Sequence, residues 1–123
     1  MARAKLIPPI ERRVQFLCDV LNALPGVTTF SSCGGHKHPK IVSQCKESEF
    51  FVAFDIEPLR VGWKSLGIIT WASHQTSAGQ VDVSAWLSGD EPDTLSFEIK
   101  GKRWADPDEI AAAICEYVSF TKE

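Results

Sequence analysis

Residues 50–56, "FFVAFDI", decide the fold. Strands alternate their side chains between two faces, and both faces of this segment hold apolar residues. That pattern places it in the interior of a sheet rather than at an edge. An interior strand needs neighbours on both sides and a covering layer, and the flanking segments supply them.

Downstream, "VDVSAWLSG" (81–89) puts Val81, Val83, Ala85 and Leu87 on one face, and "TLSFEIKG" (94–101) does the same with Leu95, Phe97 and Ile99. The "DEPD" between them (90–93) is turn material, so the two strands read as a hairpin. Upstream, "VTTF" (27–30) is a short β-prone run that leads into a loop. The stretch "EPLRVGWKSLGIITWAS" (57–73) reads as a short helix near 58–66 followed by a strand near 67–73, with Gly62 and Gly67 interrupting either pattern.

Two helices flank these strands. In "PPIERRVQFLCDVLNALPG" (8–26), Ile10, Val14, Leu17, Leu21 and Leu24 recur on one helical face, predicting a helix from about Pro9 to Leu24 that Pro25-Gly26 stops. In "ADPDEIAAAICEYVSF" (105–120), Asp106 is an N-cap, Pro107 fits the first helical position and Glu109 has capping-box spacing. Ile110, Ala113, Ile114, Tyr117 and Val118 form its apolar stripe. The expected fold class is α+β, one domain over 1–123. It is a two-layer structure in which an antiparallel sheet of about four or five strands is covered on one face by the N- and C-terminal helices.

The 44% hydrophobic and 24% charged content is that of a soluble globular chain, and no apolar run approaches the ~20 residues that span a bilayer. The basic N-terminus lacks the apolar core of a signal peptide, so the expectation is a cytoplasmic protein with no membrane partner. Net charge is −3, which excludes a strongly basic, nonspecific phosphate binder. The sign is uneven. Residues 1–64 carry nine Lys/Arg against six Asp/Glu, and residues 65–123 carry four against ten. Of four cysteines, expected reduced, Cys18 and Cys115 read as small buried apolar residues inside helices. Cys33 and Cys45 remain as the chemically interesting pair.

They bracket "FSSCGGHKHP" (30–39), where Ser31, Ser32, Cys33, Gly34, Gly35, His36, Lys37 and His38 crowd together. Four readings stand side by side. Cys33, His36, His38 and Cys45 are the thiolate and imidazole donors of a zinc site, though not at the spacing of the common knuckles. Cys33 and His36 could form a thiolate–imidazolium nucleophile, with His74 or Asp55 as orienting partner. The glycines let main-chain amides converge on an anion, joined by the serines, Lys37 and the imidazoles. Last, the segment is a solvated turn.

The run "LNALPGVTTFSSCGGH" (21–36) resembles the N-terminal segment of wybutosine-synthesis tRNA methyltransferases, where a helix leads into a Ser-Ser-Cys-Ser-Gly-Arg loop. Ser31, Ser32, Cys33 and Gly35 match; Gly34 stands for the serine and His36 for the arginine. The run is also similar to small phage and prophage proteins with a Ser-Cys-x-Gly-His loop after Leu-Pro-Gly. These resemblances imply a related local structure, a polar-loop site near nucleotide or RNA, and, for the phage proteins, sequestration of a host nucleotide signal or inhibition of a host defence protein.

Among the aromatics, Trp86 shares a strand face with Asp82, Ser84 and Ser88, a position for stacking on a base or packing under a loop. Trp63, Trp71 and Trp104 read as core or core-edge residues. In "KGKRW" (100–104), Arg103 has the planar fork that holds phosphate. The leading expectation is a non-enzymatic binding protein for a small anionic or nucleotide-like ligand, using residues 31–38 with Trp86 and Arg103. It has no cofactor unless zinc is held, and its partners are that ligand or a host protein, with RNA ranked lower and self-association left open. The alternatives are an RNA-modification-related or thiol enzyme using Cys33 and His36, and a protein–protein inhibitor with a structural Cys/His loop.

Overall fold

The computed structural model describes residues 10–37, 44–46, 49–75, 81–87, 93–101 and 105–121, and at 86, 87, 120 and 121 the backbone. The elements run α1 (Arg12–Asn22), β1 (Val27–Cys33), β2 (Phe50–Ile56), α2 (Leu59–His74), β3 (Val81–Leu87), β4 (Leu95–Gly101) and α3 (Pro107–Thr121). The four strands form one antiparallel sheet in the order β1-β2-β4-β3. This is the expected α+β class, with β2 in the interior and β3–β4 as adjacent antiparallel strands.

Hydrophobic burial explains the layering. Phe50, Val52, Phe54 and Ile56 turn one face of β2 toward the helices and are completely or almost completely buried. Phe97 and Ile99 of β4 pair with Phe54 and Val52, and the Phe54 and Phe97 rings stack 5.7 Å apart. Over this face α1 contributes Val14, Leu17 and Leu21, α2 contributes Ile69, and α3 contributes Ile110 and Ile114. The α1 helix packs on β1 and β2, α2 on β2 and β3, and α3 against both helices. At the start of α3 the Asp106 carboxylate accepts the Asp108 amide at 2.9 Å, the N-cap contact expected from the sequence.

Three expectations are corrected. Residues 59–74 are one helix, not a helix and a strand. Its buried face is built of Gly62, Ser65, Ile69, Ala72 and Ser73, mostly small residues that let the helix lie close to the sheet. Small buried residues leave little hydrophobic periodicity to read. Second, Trp63 and Trp71 are not core residues: they are 64% and 43% exposed on the outer side of this helix. Third, α3 buries Ile110, Ala111 and Ile114, so Tyr117 faces outward and Cys115, a further step around the helix, is exposed. Trp104 and most of the 88–93 turn lie outside the described residues. No described helix is long and apolar enough to cross a membrane.

Strand β1 also runs further than the sequence predicts. It continues through Ser31, Ser32 and Cys33, paired with β2 and irregular at Phe30, so only Gly34 onward forms the turn. That extension orients the residues of the candidate site.

Candidate functional site

The turn after β1 passes beneath the first residues of α1. Gly34 is buried there: a Cβ on it would stand 3.0 Å from Arg13 Cβ and 3.3 Å from a Glu11 carboxylate oxygen. Gly35 follows at φ 103°, a conformation that side-chain-bearing residues rarely adopt. The glycine pair thus permits a close approach between strand end and helix start.

Arg13 holds that approach. Its Nη1 donates to the carbonyls of Gly34 at 2.8 Å and Glu49 at 2.9 Å, and Nη2 donates to the carbonyl of Ala105 at 3.3 Å. The guanidinium also lies 5.5 Å from the centre of the Phe50 ring. One side chain therefore joins the turn, the approach to β2 and the approach to α3.

Glu11 occupies the N-cap position of α1 but makes no side-chain cap bond to its own helix. Its carboxylate accepts the Gly34 amide and lies 2.9 Å from His36 Nε2. The His36 amide donates to the Cys45 carbonyl at 2.9 Å, and His36 forms a parallel bridge with Lys46. In return, the Cys45 amide donates to Cys33 Sγ at 3.4 Å. Cys45's own thiol points to carbonyls, at 3.7 Å from that of Cys33 and 3.5 Å from that of Glu49. Burial first, and then the neighbouring Cys33, push the Cys45 thiol up to about 12, so it stays protonated at neutral pH.

These contacts leave one carboxylate oxygen of Glu11, Cys33 Sγ and one imidazole nitrogen of His36 within 4.8 Å of one another. Oxygen, sulfur and nitrogen in one small cluster is the donor set of zinc, whose tetrahedral ligands stand roughly 3.3–3.7 Å apart. An amide donated to the cysteine sulfur is the outer-shell support that a metal-bound thiolate uses.

Of the four zinc donors read from the sequence, Cys33 and His36 come together. Cys45 is adjacent but spends its thiol on carbonyls, and His38 lies outside the described residues. Glu11 was missed. An acidic residue at a helix start is common, and 22 positions separate it from Cys33. As for a thiol nucleophile, Cys33 is only 4% exposed. The orienting partners considered for it lie elsewhere: Asp55 accepts the Ser96 hydroxyl at 2.6 Å, and His74 ends α2.

The anion reading takes an unexpected form. The Gly34 amide and the His36 ring do converge on negative charge, but on Glu11 of the same chain. Ser31 and Ser32, as consecutive strand residues, point to opposite faces of the sheet. Ser32 turns to the helix side and hydrogen-bonds Cys18, whose thiol burial pushes up to about 11. Lys37 is exposed. Trp86 pairs with Ser96 on the far edge strand, three strands from β1, roughly 14 Å across the sheet. It stands apart from the turn, and Arg103 lies outside the described residues.

On the sheet face away from the helices, Cys33, Phe51 and Lys100 occupy one row across β1, β2 and β4. A pocket of about 490 Å³ opens along this row, lined by Cys45, Glu49, Phe51, Glu98, Lys100 and Gly101 among others. Lys100 Nζ stands 3.7 Å from Glu98. Cys45 belongs both to this pocket and to the hydrogen bonds around Cys33. No protein-family model, curated protein or solved structure matches the chain.

Proposed function

We propose that this chain is a non-enzymatic binding protein whose ligand site is a zinc-type metal centre on Glu11, Cys33 and His36. The carrying observation is the approach of three different donor atoms, from α1, β1 and the following turn, to within 4.8 Å. A metal would be held by Cys33 as its thiolate, so uptake releases the thiol proton to solvent. Three protein ligands leave a fourth position for a small anion. The adjoining pocket supplies an aromatic surface at Phe51 for a nucleobase; Lys100 is its cation beside the carboxylates of Glu98 and Glu49, so the metal itself would supply the positive charge that a nucleotide phosphate meets. Sequestration of a nucleotide signal, the role implied by the phage resemblance, would use the same site.

The test is a pair of melting curves. Zinc should raise the melting temperature of protein freed of metal by chelator and then of the chelator, by about 2.7 kcal/mol of added stability at a hundredfold excess over its Kd. Cys33→Ser and His36→Ala should abolish the response. Adenosine monophosphate should then add a further rise only when zinc is present, and Lys100→Ala should weaken it. A melting temperature indifferent to zinc overturns the reading. The cluster is then the clasp that fixes α1 to β1 and no more.

A further inference from the structure

Helix α2 carries a second surface, remote in character from the polar corner at Glu11. At 3.6 residues per turn, Arg60, Trp63, Lys64, Gly67, Trp71 and His74 fall on one stripe, and all six are exposed. Two tryptophans about 12 Å apart along the axis are thus interleaved with two permanent cations and an imidazole. The sequence from Pro58 to Val81 contains no Asp or Glu, although the chain as a whole is acidic. Among the described residues, Arg60 and Lys64 make no ion pair.

Gly67 lies at the middle of the stripe. A Cβ there would meet nothing within 4 Å, so packing inside the protein does not require glycine. Glycine in a helix interior is nevertheless costly relative to alanine. Its effect is to open a groove of about 540 Å³ lined by Lys64, Gly67, Ile68, Trp71 and Tyr117. The Trp71 and Tyr117 rings meet 5.3 Å apart at 51°, forming an aromatic wall. This volume lies in the range of small-molecule sites and admits a nucleobase.

We propose that this face binds single-stranded nucleic acid, with bases stacking on Trp63 and in the Trp71–Tyr117 groove while Arg60 and Lys64 contact phosphates. Charge complementarity selects a polyanion, and the exposed π-faces select one that carries flat bases. A membrane surface fits less well. An interfacial helix segregates a broad apolar face from its cations, whereas α2 buries a side of mostly small residues against the sheet and interleaves its exposed rings with Arg60, Lys64 and His74. The proposal is independent of metal binding at Glu11, Cys33 and His36.

The test uses the whole chain with short fluorescent single-stranded DNA and RNA of the same sequence, followed by anisotropy at low and moderate salt. Binding of either strand is expected, and the two arms tell which sugar is preferred. Trp63→Ala should weaken it at least about fivefold, and Trp71→Ala similarly, with Trp71→Phe recovering most of the loss. Lys64→Glu, a surface change that leaves the core untouched, should weaken binding and flatten its salt dependence. No binding at low salt, or binding unchanged in Trp63→Ala and Lys64→Glu together, overturns the proposal. So does capture by anionic vesicles without capture of oligonucleotide, which assigns the face to lipid. A dimer that Trp63→Ala dissociates, with no oligonucleotide binding, assigns it to self-association.

Discussion

The corner at Glu11 and the outer face of α2 treat polar groups in opposite ways. At the corner nearly every donor meets an acceptor inside the protein: Arg13 on three carbonyls, Gly34 and His36 on Glu11, Cys45 on Cys33 and Glu49. On α2, two cations and two indoles face solvent. Closed polar networks rigidify, and a preorganised cluster of donors suits a metal, which demands fixed ligands. Open, mixed surfaces suit a partner that brings its own shape and charge. The chemically unusual residues that dominate the sequence are therefore bonded to one another, and the plainer helix presents the open face.

Substitutions break this contrast with graded force. Arg13→Ala should do most, because it strands three carbonyls and removes the cation over Phe50. A loss of about 3 kcal/mol in urea denaturation is expected, with Arg13→Lys recovering only part of it. A loss below about 1 kcal/mol would mean that the corner is held by something else. Gly34→Ala comes next. A methyl 3.0 Å from Arg13 Cβ must push the turn away, costing about 1–3 kcal/mol and lowering zinc affinity with it.

A pH series sharpens the comparison from another side. Cys18 and Cys45 have thiol pKa values raised in the folded state, to about 11 and about 12, from an ordinary 9.0. A raised value means that the stabilisation is complete below pH 9 and is lost as pH climbs toward 11 and 12. The melting temperature should therefore fall across that interval, and the fall should be shallower in Cys18→Ala, whatever its absolute stability. An identical slope in that variant would contradict the buried-thiol assignment. The smallest effect belongs to α2, where Gly67→Ala should stabilise the fold by up to about 1 kcal/mol while narrowing the groove beside Trp71. If it destabilises instead, the glycine has a packing role inside the protein.

Much of the scaffold was legible in residue order. Strands β3 and β4 announce themselves by a clean period of two, β2 by apolar residues on both faces, and α3 by Asp106 and Pro107. The error fell on α2, for a definable reason. Its buried side is Gly62, Ser65, Ala72 and Ser73 around a single Ile69, while its bulkiest apolar residues, Val61, Trp63 and Trp71, are outside. Hydrophobic patterning there points away from the core, and reading Gly67 as a break split the tryptophans between two elements. The candidate site was half legible. Cys33 and His36 are close in sequence, but Glu11 and Arg13 reach them only because β1 runs antiparallel beneath α1's approach. Ser31 and Ser32 misled for a simpler cause, since β1 continues through them and alternation sends their hydroxyls to opposite faces.

If Cys33 and His36 share a metal with Glu11, cobalt will report it. Cobalt(II) added to metal-free protein should give a tetrahedral d–d spectrum with a thiolate-to-metal charge-transfer band, one equivalent saturating both. Cys33→Ser should remove the charge-transfer band, and Glu11→Gln should weaken binding without removing it. A cobalt spectrum with no thiolate band, or one that Cys33→Ser leaves intact, would contradict the account.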